Sequence, residues 1–177
     1  MNDHRHPLGT FLRDGERVGL RFERHLRHPR ERVWRALTES ASLRHWLPAD
    51  IVGPREAGAA VQLPFWPDVV ERYGIEDPVV PGRIIVWEPP TRFSWQWGAD
   101  ELHFELAAIG DTAEHTLLVF TTWIGDASPG LANIAGGYHT CFDLLIDSLD
   151  HGAAAPLVDQ DPERYAGDYE PLAAALG

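Results

Sequence analysis

LANIAGGYHTCFDLLIDSL, residues 131–149, is the stretch that decides the fold. Its apolar side chains fall at Leu131, Ile134, Ala135, Tyr138, Cys141, Phe142, Leu145 and Leu149. At the helical period of about 100° per residue these share one face, while His139, Asp143, Asp147 and Asp150 gather on the other. Upstream, Phe93, Trp95 and Trp97 alternate with Arg92, Ser94 and Gln96, the period of a strand with one buried face. A long amphipathic helix after a run of antiparallel strands needs a sheet to lie on. Aromatic residues between the two layers then line either a filled core or a hydrophobic pocket.

Working outward, Asp14-Gly15 separates two extended runs, Gly9–Arg13 and Arg17–Leu26, a hairpin signal. Pro29 opens a short helix whose buried side is Val33, Trp34 and Leu37. Ser40 is placed to cap a second one running to Trp46, which Pro48 stops. Extended segments are expected near Ala49–Val52, Ala59–Phe65, Gly82–Trp87, Arg92–Trp97, Glu101–Ala108 and Thr116–Ile124. The breakers between them are Gly58, Pro81-Gly82, Pro89-Pro90, Gly98 and Gly110-Asp111. Residues 67–80 read as a long loop with a helical turn at Asp68–Tyr73. The order predicts an α+β fold: a curved antiparallel sheet of six to seven strands wrapped around a long C-terminal helix. Two short helices follow the first long strand. One domain spans residues 1–155, and residues 156–177 form a tail whose short helical segment packs back on it.

Composition narrows the function. The 177 residues contain 15 Arg and no Lys, 27 acidic residues and a formal charge of −12. Such a charge repels nucleic-acid phosphates and anionic lipid surfaces. Without lysine there is no Schiff-base chemistry, no lysine-bound pyridoxal phosphate and no P-loop lysine. No apolar run approaches the ~20 residues of a membrane span, the opening MNDHRHPLG has no signal-like apolar core, and Cys141 is the only cysteine. A cytoplasmic protein is expected, with no nucleic-acid partner and no membrane insertion. Residues 1–35 hold nine Arg against five acids. Pairing with acids on neighbouring strands, or a docking patch for an acidic partner, would account for that excess.

Several segments resemble a known family. Phe22-Glu-Arg, Pro29-Arg-Glu-Arg-Val33-Trp34-Arg-Ala-Leu37-Thr38 and Leu43-Arg-His-Trp46-Leu47 are similar to the opening of the activator of heat-shock protein 90 ATPase homologue (AHSA-type) family. Gly82-Arg-Ile-Ile-Val-Trp87-Glu-Pro89-Pro90, Phe93-Ser-Trp95 and Gly136-Gly137-Tyr138 with Leu145 and Leu149 continue the resemblance. It implies a START-like (SRPBCC) superfamily helix-grip fold, shared with the birch-pollen allergen, with a cavity beneath the last helix. It also implies a chaperone partner and a link to the stress response. Two departures stand out. Tyr138 replaces the family's usual Trp, and the eukaryotic co-chaperone's additional N-terminal domain is expected to have no counterpart in the short stretch before the match.

Candidate chemistry was sought on inward positions. Leu102, Phe104 and Leu106 take one face of their strand, leaving Glu101, His103 and Glu105 outside; Leu117, Val119, Thr121 and Trp123 are expected on the inner face of the last strand. The expected ligand walls are Trp66, Phe93, Trp95, Trp97, Phe104 and Trp123, with Tyr138, Phe142 and Leu145 as the helix lid; Thr121 and the Tyr138 hydroxyl would orient a polar group. The glycine pair Gly136-Gly137 predicts a kink, a later helix start, or close backbone approach to a ligand mouth or a partner subunit. His25-x-x-His28 and His4-x-His6 lack ligand geometry, and His139 with Asp143 reads as a surface i,i+4 pair. Neither a metal nor another cofactor is therefore expected. No Ser-His-Asp order, paired inward carboxylates or phosphate loop emerges, and no catalytic residue is assigned. The expectation is a non-catalytic module binding a small hydrophobic or amphipathic molecule. The alternatives are a co-chaperone-like or self-associating (homodimeric) interaction protein, or a small-molecule cyclase, dehydratase or hydrolase acting through Tyr138.

Overall fold

The computed structural model describes residues 6–176. A hairpin, β1 (Thr10–Asp14) and β2 (Arg17–Leu26), leads into α1 (Arg30–Thr38) and α2 (Ser40–Leu43). Next come β3 (Ala60–Pro64), α3 (Pro67–Tyr73) and the meander β4 (Val79–Glu88), β5 (Arg92–Trp97), β6 (Asp100–Ile109) and β7 (His115–Ile124). The long helix α4 (Leu131–His151) is followed by a single 3-10 turn (Leu157–Asp159) and α5 (Ala166–Ala174). The seven strands form one antiparallel sheet in the order β1-β2-β7-β6-β5-β4-β3, with α4 as the long C-terminal helix of a helix-grip fold.

One row of aromatics explains how sheet and helix adhere. Phe22, Phe120, Phe104 and Phe93 stand directly opposite one another on β2, β7, β6 and β5, and Trp87 on β4 continues the row. Period-two alternation puts all four phenylalanines on the inner face, where each is at most 2% exposed. Phe142 of α4 sits on that row, 5.0 Å from Phe120 and 5.3 Å from Phe22 between ring centroids. Trp46, just after α2, stacks on Phe142 and meets Phe104 edge-on, its indole N–H donating to the Ala36 carbonyl at 2.9 Å. The space under the C-terminal half of α4 is therefore filled.

Four local expectations are corrected. Residues 49–52 make only isolated bridges, Ala49 with Phe65 and Val52 with Gln62; between them the Ile51 N–H donates to the Asp50 carboxylate at 2.8 Å and not to a neighbouring strand. Pro81-Gly82 lies inside β4, whose start at Val79 extends past the end of β5; there the Pro81 carbonyl accepts from Gly98 N–H at 3.3 Å, so the missing proline N–H costs no ladder bond. Glu39, not Ser40, is the residue that precedes α2. On β7 the phase is reversed: Thr116, Leu118, Phe120 and Thr122 are buried, while Leu117, Val119, Thr121 and Trp123 face the other side. Trp123 lies on the outer sheet face over Gly19, where a Cβ would come within 2.9 Å of its ring, with the Arg17 guanidinium 4.5 Å above it.

The outer face of α4 is covered as well. His139 and Asp143, expected at the surface, are buried at 0% and 6% exposure because α5 and the segment around Gly9 pack over them. Gly136 lets the chain at Tyr165–Ala166 approach the helix, with a Cβ there meeting the Ala166 nitrogen at 3.2 Å. The helix runs unbroken through both glycines, so close approach, not a kink, is what Gly136 supplies.

Candidate functional site

The main cavity lies under the N-terminal half of α4, beyond the filled row. Its volume is about 600 Å³, and it opens to solvent. Trp97, at the end of β5, and Phe65, after β3, form one wall, with ring centroids 5.8 Å apart. α3 contributes Val69 and Tyr73, and α4 contributes Asn133, Ile134, Gly137, Tyr138, Thr140 and Cys141. Leu47 and Pro48 close one side, while Leu157, Gln160, Pro162 and Glu163 of the tail close the other. The Tyr138 ring packs on Phe120 at 5.0 Å, joining the cleft to the aromatic row.

Of the residues expected from sequence, the cavity brings together Trp97 and Tyr138. Phe93, Trp95, Phe104, Phe142 and Leu145 lie in the filled interior, each at most 2% exposed. Trp66 stands behind the wall, its indole N–H donating to the Leu47 carbonyl at 2.8 Å, with Arg44 over its ring. Thr121 and Trp123 are turned to the far side of the sheet, so the inward hydroxyls of β7 are those of Thr116, which donates to the His28 carbonyl, and Thr122. Sequence reading missed Phe65, Val69, Leu157 and the segment 160–163. They share no common signal, apolar Phe65, Val69 and Leu157 standing beside the polar Gln160 and Glu163, and what brings them together is tertiary.

The polar groups of the cleft are held in quiet states. Burial pushes the Tyr138 phenol well above the usual phenol range; the neighbouring Thr122 hydroxyl opposes this only in part. Burial likewise pushes the Cys141 thiol up to about 12, so it is a protonated, poorly nucleophilic wall group. Asp100 accepts from the Gly125 N–H at 2.7 Å and the Asp126 N–H at 3.3 Å, which fixes the loop leading to α4. Thr140 donates to the Gly136 carbonyl at 3.1 Å. These are groups that can orient a bound molecule.

Two polar networks lie elsewhere. Behind α4, the Tyr165 hydroxyl donates to Asp143, whose other oxygen is 2.8 Å from His6 Nδ1. Tyr169 OH accepts from Gly9 N–H at 2.8 Å and lies 2.8 Å from His139 Nδ1. Arg24 is buried beside them against Phe22 and Phe142; desolvation lowers its pKa, which Tyr169, Asp143 and Tyr165 partly offset. On the outer sheet face, His103 has Nδ1 2.9 Å from Ser94 Oγ and Nε2 3.3 Å from Glu101. This is a serine-histidine-carboxylate contact chain that the sequence order did not suggest. Glu105 lines the same dip, and the Arg92 at its edge is paired with Glu88, a poor setting for developing negative charge. Among the described residues no three His, Cys, Asp or Glu side chains converge to hold a metal; His4 lies outside them. No helix among the described residues is long and apolar enough to cross a membrane.

The family model described as "Activator of Hsp90 ATPase homolog 1-like protein" matches residues 27–151, from the end of β2 to the end of α4. The chain belongs to this family. Among solved structures, a conserved protein of unknown function from Enterococcus faecalis superposes with a TM-score of 0.75 at 18% identity, covering 96% of this chain and 92% of that one. A protein from Bordetella parapertussis, solved in solution, is 28% identical with a TM-score of 0.67, over 89% of this chain and 86% of its own. CalU16 from Micromonospora echinospora reaches 0.62 at 18% identity, over 96% and 94%. No curated protein matches. The residues matched by the Hsp90-ATPase-activator homologue model supply the filled row, apart from Phe22, and most of the cleft. Leu157, Gln160, Pro162 and Glu163 lie after the match, so one wall of the cleft is built by sequence outside it.

Proposed function

We propose that this protein binds a small, predominantly apolar molecule in the cleft under the N-terminal half of α4. The observation that carries this reading is the cavity itself: about 600 Å³, walled by Phe65, Trp97, Tyr138, Val69, Ile134 and Leu157, with a few polar groups at its margin. Ligand sites typically enclose about 300–1,000 Å³ with this mix of apolar wall and sparse polar groups. Affinity comes from burial, at about 0.8 kcal/mol per buried CH₂. Trp97 in the wall reports occupancy through its emission.

The test is a titration of intrinsic tryptophan emission, checked by calorimetry, with straight-chain alcohols, aromatic alcohols and alkylamines. Saturable binding is expected, and Gly137→Phe should weaken it at least tenfold. A Cβ at Gly137 meets nothing within 4 Å, so a phenylalanine there starts from open space at the cleft wall and can narrow it without a backbone clash. If no probe binds, or Gly137→Phe leaves every affinity unchanged, the cleft is not a receptor site. A second reading rests on the family match alone: contact with a chaperone ATPase. Unchanged ATPase turnover and separate elution of the two proteins would remove it.

A further inference from the structure

The cleft carries charge of one sign. Asp100 and Glu163 line it, and none of the described residues in its wall is an arginine or a histidine. Guanidiniums adjoining the wall residues are already engaged, among them Arg164, next to Glu163 and 5.0 Å over the Tyr165 ring. Arg72 lies over the Tyr73 ring at 5.7 Å, and Arg44 lies over Trp66 and is 3.8 Å from Asp68. The remaining polar groups, Asn133, Thr140, Gln160 and the Tyr138 hydroxyl, are neutral.

The walls favour the same sign. Phe65, Trp97 and Tyr138 line the cavity, and a desolvated cation within about 6 Å of an aromatic face is attracted by the ring quadrupole. One feature opposes this: the first turn of α4 lies at the cleft, and a helix N-terminus carries about +0.5 charge. Two full carboxylates outweigh half a positive charge. The whole-chain charge of −12 adds a long-range field of the same sense.

Building on the receptor role above, we infer that the cleft selects cationic amphiphiles, an ammonium group on an apolar body, over carboxylates of equal size. The apolar part lies between Trp97, Val69, Ile134 and Leu157, and the ammonium group faces Asp100, Glu163 and the aromatic rims. A fatty-acid carboxylate in the same pose would meet two like charges and no cation.

The experiment compares dodecylammonium, dodecan-1-ol and dodecanoate, each below its aggregation concentration, by tryptophan emission and calorimetry. The expected order is amine, then alcohol, then carboxylate, with the amine at least tenfold tighter than the carboxylate at low salt. Glu163→Gln, at an exposed rim position, should cut that ratio several-fold, weakening the amine more than the alcohol. Asp100→Asn with Glu163→Gln should bring the ratio close to unity, the single Glu163 variant standing alone if the Asp100 loop does not fold. Gly137→Phe should abolish amine binding; amine binding that survives it reflects diffuse attraction to an acidic surface and overturns the inference. If the alcohol binds but amine and carboxylate bind equally, the selectivity fails and the receptor role stands. If none of the three binds, both fail.

Discussion

The two halves of α4 obey one hydrophobic period but meet different surroundings. From Phe142 to Leu149 the helix lies flush on the Phe22–Phe120–Phe104–Phe93 row, and no room is left. From Asn133 to Cys141 one side of that face, Ile134, Tyr138 and Cys141 with the adjoining Asn133, Gly137 and Thr140, borders a cleft of about 600 Å³. The sheet ends sooner under this half: β5 stops at Trp97 and turns at Gly98, so α3 and residues 157–163 supply the missing walls. An amphipathic stripe shows which face turns inward. It does not show whether the space beneath is occupied.

The sharpest way to break this comparison is to truncate one aromatic on each side of it. Phe142→Ala should cost about 3–5 kcal/mol, because it opens a cavity in a core that cannot collapse. Tyr138→Ala removes a ring that already borders open space and should cost well under half as much. Urea denaturation of the two variants measures both. Equal costs would mean that the N-terminal half is packed as tightly as the other.

The outer face of the same helix offers the second contrast. Tyr169→Phe removes the acceptor of the Gly9 amide and the partner of His139 Nδ1, leaving buried polar groups unsatisfied at about 1–3 kcal/mol. The loss should appear as a lower denaturation midpoint, together with faster hydrogen exchange at the Gly9 amide. Exchange at Gly9 that stays as slow as in the parent would show that the phenol does not hold this segment.

Much of this was legible in residues and some was not, for identifiable reasons. The strand alternation at Phe93, Trp95 and Trp97 and the helix stripe at Phe142, Leu145 and Leu149 stand out because only one side of each is apolar. On β7 both sides are apolar, Leu117 and Val119 against Leu118 and Phe120. There only the cross-strand register with Phe22 and Phe104 breaks the tie, and Thr121 and Trp123 were placed on the wrong face. His139 and Asp143 looked solvated because a wheel drawn on one helix knows nothing of a later segment. The available signal was Tyr165 and Tyr169, four residues apart, with two hydroxyls that need partners if buried. The cleft was least legible, since its walls come from five separated stretches of chain with no common period.

The pH dependence of stability separates the cleft from its surroundings by chemistry. The Cys141 thiol, at the cleft wall, has its pKa raised by burial from 9.0 to about 12. The Tyr169 phenol, behind the helix, is raised from 10.0 to about 12, also by burial. For each, the folded state holds its proton more tightly than the unfolded state does. The stabilisation is therefore fully present below the unfolded value and is lost as pH climbs toward the folded one. Stability should begin to fall near pH 9, by up to about 1.4 kcal/mol per pH unit for each group. Between pH 9 and 10 the cysteine contributes most, so Cys141→Ala should flatten most of that window and leave the decline above pH 10. Denaturant midpoints across the range measure this, and an unchanged slope between pH 9 and 10 in Cys141→Ala would contradict the buried position of the thiol.

The smallest effect is the most local test of where α4 is covered and where it is open. Gly136 and Gly137 are adjacent, both inside the helix, and each should gain about 0.8–1 kcal/mol on replacement by alanine from helix propensity alone. At Gly137 nothing lies within 4 Å of the added methyl, so Gly137→Ala should stabilise by most of that amount. At Gly136 the methyl would meet the Ala166 nitrogen at 3.2 Å and the Tyr165 carbonyl carbon at 3.4 Å, backbone atoms that cannot swing aside. That contact is tighter than nine in ten real Cβ contacts, so the Tyr165–Ala166 backbone must give by a few tenths of an ångström, straining the bonds of Tyr165 and Tyr169 to Asp143 and His139. Gly136→Ala should therefore destabilise, giving neighbouring residues effects of opposite sign in one thermal or urea series. Two stabilising changes would mean that the tail does not press on the helix, and two destabilising ones that the cleft beside Gly137 is closed.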